Sequence, residues 1–96
     1  MATTVTLLIF SGRRDPTWEL PPGDIAALAQ MLGGYQSAPE ISTLGYRGFQ
    51  VQSNDPAMLR DVIVRDTPQL ERFLLRTGAG HVPPEIIDAV EAAIGD

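Results

Sequence analysis

The residues with the most chemical potential lie together in Ser11-Gly12-Arg13-Arg14-Asp15-Pro16-Thr17-Trp18-Glu19. A glycine after an apolar run, two arginines and a tryptophan just ahead of a helix start could receive a carboxylate or phosphate. Guanidinium forks and the N–H groups of a helix N-terminus both favour anions. The spacing matches neither the Gly-Lys-Ser/Thr phosphate loop nor the spaced glycines of a dinucleotide site. Tryptophan with arginine is also the composition of protein-interface hot spots. Of these two functional readings, contact with a protein partner is the stronger. Its candidate residues are Arg13, Arg14, Asp15 and Trp18, joined by Asn54 from a turn expected beside them. The simplest account of the segment is structural: Asp15 turns the chain before Pro16, Trp18 packs as a lid on the core edge, and the arginines stay in water.

Other side chains carry less. His81, the only histidine, could be drawn with Glu85 and Asp88 as a metal triad. The chain has no second histidine and no cysteine, so a zinc site would be carboxylate beyond one ligand, which is uncommon. Glu85 and Asp88 instead suit the first turns of a helix, where the dipole favours negative charge. Gly78-Ala79-Gly80 reads as a helix end and turn. Ser11 has no histidine near it, and nothing in the sequence buries the carboxylate pairs Asp61/Asp66 or Asp15/Glu19. No catalytic group, metal or cofactor is expected, and an enzyme is the less favoured class.

Composition narrows the classes further. Ninety-six residues, 44% hydrophobic and 20% charged, suit one small globular domain over residues 1–96. With no cysteine there is neither a disulfide framework nor a thiolate nucleophile. All seven basic residues are arginine, which excludes Schiff-base lysine chemistry and reads as GC-rich coding, a bias that also favours Ala, Gly and Pro. A net charge of -5 argues against a nucleic-acid surface. The longest apolar run, Leu7-Leu8-Ile9-Phe10, falls far short of the ~20 residues of a membrane span. The first residues also lack the pattern of a secretory signal. The expected setting is the cytoplasm, away from membranes.

The elements that must position these residues follow from period and punctuation. Thr3 to Ser11 reads as a strand, apolar on both faces over its second half, and residues 12 to 20 as a loop. Pro21-Pro22-Gly23-Asp24 opens a helix with the stripe Ile25, Leu28, Ala29, Leu32, closed by Gly33-Gly34. After a loop, Gly45 to Ser53 is a second strand, with Phe49 and Val51 alternating with Gln50 and Gln52. Asn54-Asp55-Pro56 is turn chemistry, and Leu59 to Arg65 is a third strand. Thr67-Pro68 begins a helix with inner residues Leu70, Phe73 and Leu74. Pro83-Pro84-Glu85 begins another with Ile86, Val90, Ala93 and Ile94, and Ile87 beside them.

The order β-α-β-β-α-α predicts an α+β fold. A helix between the first two strands makes them parallel, and a tight turn makes the second and third antiparallel. The economical sheet is three-stranded and mixed, in order 1-3-2, half of a ferredoxin-like plait. That arrangement brings the Arg13 loop to Asn54 and leaves Tyr46 and Arg47 at the far end, near Arg65 and Asp66. It also puts the first strand at an edge without charge, proline or glycine to defend it, which points to a homodimer through that strand. The expected function is a small cytoplasmic accessory domain acting through protein–protein contacts, with another protein or with itself. The alternative is a small-molecule, anion-binding or enzymatic domain using the Arg13/Arg14/Trp18 loop.

Overall fold

A computed structural model describes residues 3–9, 15–39, 45–55 and 58–94. Their elements are β1 (Thr3–Leu7), β2 (Thr17–Glu19), α1 (Pro22–Leu32), β3 (Phe49–Asp55), β4 (Met58–Val64), α2 (Pro68–Thr77) and α3 (Pro84–Ile94). The fold is α+β with the three expected helices. The sheet differs from expectation: it has four strands in order β2-β1-β3-β4, and every neighbouring pair is antiparallel.

The short β2 causes the difference. Thr17, Trp18 and Glu19 run exposed, buried, exposed, and Trp18 pairs with Val5. The chain has therefore already turned back before α1 begins. The helical connection does join two parallel strands, but they are β2 and β3, with β1 antiparallel between them. This replaces the 1-3-2 order and the half-plait. It also explains the undefended sequence of β1, which is bonded on both sides and has no open edge. Pairing of two copies through β1, which needed that edge, is closed.

Boundaries shift by a few residues. β1 ends at Leu7, although the Leu8 N–H still donates to the Gly48 carbonyl at 3.0 Å and the Arg47 N–H to the Leu8 carbonyl at 2.8 Å. β3 runs through Asn54 and Asp55, and Asp55 faces Met58, so those two residues belong to a hairpin arm. Gly48, at φ +100°, lets β3 approach the end of β4; a Cβ there would collide with the Val64 carbonyl oxygen.

The period-2 pattern sorts the sheet into two faces. Val5, Val51 and Val62 form one buried row across three strands, and Leu7, Phe49 and Val64 the next. Leu28 and Leu32 of α1, Leu70, Leu74 and Leu75 of α2, and Val90 of α3 join them in one core cluster. Each such side chain stabilises the fold by about 1.5–3 kcal/mol when fully buried. The other face carries Thr4, Gln52 and Asp61 in one row and Thr6, Gln50 and Ile63 in the next.

Proline opens each helix as expected, but Thr67, the N-cap of α2, makes no side-chain cap bond and its hydroxyl donates to the Arg65 carbonyl instead. Proline occupies the first turn of α1, and its C-cap Gly33, at φ +40°, donates to the Ala29 carbonyl at 3.1 Å. In α2, Leu75 is buried where Phe73 is only half-buried, and Glu71 is buried as well. In α3 only Val90 is fully buried and Ala93 is exposed, so this helix covers the margin of the core. Among the described residues no helix is long and apolar enough to cross a membrane.

Candidate functional site

Of the residues singled out from sequence, the described ones, Asp15, Trp18 and Asn54, do not converge. Arg13 and Arg14 lie outside the described residues. Asp15 accepts the Ile9 N–H at 3.1 Å and faces the Arg47 guanidinium at 3.8 Å. Asn54 is exposed beyond the far end of β1, where Ser53 pairs with Thr3. Six strand residues, roughly 20 Å, separate Thr3 from Ile9. Asp15, at the Ile9 end, is therefore held away from Asn54. Antiparallel pairing of β1 with β3 instead brings Arg47, expected at the opposite end, to Asp15. Tyr46 does lie near Arg65 and Asp66, as the sequence suggested.

Trp18 faces inward and is 3% exposed. Its indole N–H donates to the Thr77 hydroxyl, and its ring lies edge-on to Phe49 with 6.5 Å between centroids. Gly78 lies beneath the ring: a Cβ there would come within 2.7 Å of the indole. The indole packs directly on Gly78 and Phe49, and at 3% exposure the side chain offers a partner almost no surface. His81 is exposed and stacks near-parallel to the indole at 6.5 Å. Among the described residues no three His, Asp or Glu side chains gather as metal ligands.

Sequence reasoning passed over the triad Tyr46, Glu71 and Thr67. Glu71 is 3% exposed, and each carboxylate oxygen holds a donor: the Tyr46 hydroxyl at 2.6 Å and the Thr67 N–H at 2.9 Å. A buried carboxylate is tolerated only when so bonded. Burial first, then the hydrogen bond and charge of Glu71, then the charge of Asp66, push the Tyr46 phenol far above its ordinary range. It is thus a fixed donor and no base. The triad borders a cleft of about 410 Å³ with Arg65, Asp66, Pro68, Ala93 and Ile94. It caps α2 and ties the segment before β3 to it. The one available signal was Thr67 with a glutamate four residues on, one position later than in the usual capping box.

A second concavity is a groove of about 420 Å³ between α2 and α3. Leu75, Ala79 and Ile87 form its apolar part, with the exposed Arg72 and Arg76 on the α2 side and the exposed Glu91 on the α3 side. Arg72 and Arg76 are four residues apart, so both project from one face of α2. This groove can seat an apolar side chain between charges of opposite sign. It holds no nucleophile and no acid–base pair. Compared with known proteins, the chain matches no family model, no curated sequence and no solved structure.

Proposed function

We propose that this chain works by protein–protein contact through its helical layer, as a binding or accessory domain. The α2–α3 groove carries the reading. An apolar strip flanked by charge is the anatomy of a contact surface, with a desolvated centre and a polar rim. The expected anchor, Trp18, is consumed by the core, so the contact moves from the Arg13–Trp18 loop to the helices. Among the described residues the opposite sheet face carries Thr4, Thr6, Gln50, Gln52 and Asp61 around Ile63. The one large hydrophobic side chain well exposed among the described residues is Met31, at 41%, and it stands alone on α1.

The test is site-specific photocrosslinking in the cell of origin, with the reactive side chain placed at Ile87 or, for comparison, at Gln52 on the sheet face. The expected outcome is a discrete protein adduct from position 87 and none from position 52. Absence of adducts from position 87, or equal labelling from both positions, would overturn the reading.

A further inference from the structure

We infer that the occupant of the α2–α3 groove is a second copy of this chain, docked about a two-fold axis. The inference rests on the groove being the contact surface and names what fills it. The charges make the argument. One wall is positive, with Arg72 and Arg76, and the other negative, with Glu91. A foreign partner would have to bring an anion, an apolar side chain and a cation in matching order. The groove's own surface already carries the three in that order. A two-fold rotation turns the α2 wall of one copy toward the α3 wall of the other, so each contact is made twice in the isologous way. Arg76 of each copy then faces Glu91 of the other, and the two Ile87 side chains meet near the axis.

The wider charge distribution supports the same landing site. The chain carries a net charge of -5, so two copies repel over most of their surfaces. Among the described arginine side chains, Arg47 and Arg65 are half-buried, whereas Arg72 and Arg76 are exposed. The α2 wall is where exposed positive charge collects on the described surface. The two helices have 10 and 11 residues. At 1.5 Å per residue they are only about 15 Å long, which places the contact near or below the standard size of about 800 Å² per partner. A weak dimer, with a micromolar dissociation constant, is the corresponding expectation.

The test is sedimentation equilibrium on the full chain from about 1 μM to about 500 μM, a range that brackets micromolar association. The wild type is expected to pass from monomer to dimer. R76E alone and E91R alone should each remain monomeric, because both contacts in their homodimers become like-charged. An equimolar mixture of R76E and E91R should dimerise again, since each reversed charge then faces its opposite. Only a contact between copies can restore association on mixing, and R76A mixed with E91A, which regains one of the two native Arg76–Glu91 pairs, should restore it in part. Both positions are exposed, and circular dichroism verifies that each variant is folded before mixing. A wild type that stays monomeric, or charge-swapped variants that fail to associate, would overturn the second-copy inference. The contact reading itself falls separately, on the absence of crosslinks from Ile87.

Discussion

The indole N–H of Trp18 donates to the Thr77 hydroxyl at 3.0 Å, joining β2 to the end of α2 across 59 positions of chain. Thr77 in turn donates to the Leu74 carbonyl at 2.6 Å. A three-residue strand is held by this side chain as much as by its ladder. Trp18→Ala should therefore cost about 3–5 kcal/mol, the range of large aromatic truncations in a core. Urea denaturation is the measurement, and an unchanged midpoint would mean that Trp18 is a surface residue after all.

Gly78 and Gly34 form a matched pair for testing close packing. A methyl at Gly78 meets three indole carbons within 3.0 Å, whereas nothing lies within 4 Å of one at Gly34. Gly78→Ala should destabilise by about 1–3 kcal/mol through overpacking. Gly34→Ala should be neutral or mildly stabilising. Thermal melts of the two variants side by side decide it, and equal shifts would contradict the contact with Trp18.

Tyr46 sets the alkaline limit of stability. Its phenol is held protonated in the folded chain, while in the unfolded chain it ionises near pH 10. Above that pH the unfolded state binds fewer protons than the folded state, so stability is fully present below about pH 10 and falls as pH rises beyond it. The slope from this group approaches about 1.4 kcal/mol per pH unit. Tyr46→Phe should flatten that limb, as followed by urea unfolding between pH 8 and 11. An equally steep limb in the variant would show that the phenol is not the group responsible.

Asp15 separates an ion pair from a hydrogen bond. Its contact with Arg47 is partly exposed and long, worth about 0–1 kcal/mol. Its acceptance of the Ile9 N–H leaves a backbone donor orphaned if the side chain is removed. Asp15→Ala should cost about 1 kcal/mol more than Asp15→Asn, whose amide oxygen still accepts. Equal losses in chemical denaturation would assign the stability to charge instead.

Glu71 shows where a candidate site hides from sequence reading. Near the start of α2 it looks like any acidic residue placed to suit the helix dipole. Its burial depends on Tyr46, 25 positions away, supplying a donor. The α2–α3 groove was half legible, because Arg72 and Arg76 share one helix face by spacing alone. That Glu91 stands across from them depends on how two helices dock. Trp18 was misleading for the opposite reason: the composition around it suggested an interface, but which side of a strand it takes is settled by pairing, and it is buried.

What the sequence by itself determined is local. Proline at the start of α1, α2 and α3, Gly33 after α1, and the 3.6-residue stripe of Ile25, Leu28, Ala29 and Leu32 act within a few residues of chain. They therefore read correctly, as did the alternation of Phe49, Gln50, Val51 and Gln52. Sheet order was decided only in the tertiary structure. Thr17–Glu19 is too short for its alternation to register, yet pairing it with β1 reverses the chain once more and flips the sense of every later strand relative to β1. Strand pairing is a contact between distant segments, and its energy lies in ladder bonds and shared burial, such as Trp18 against Phe49 and Gly78, that exist only once the segments have met.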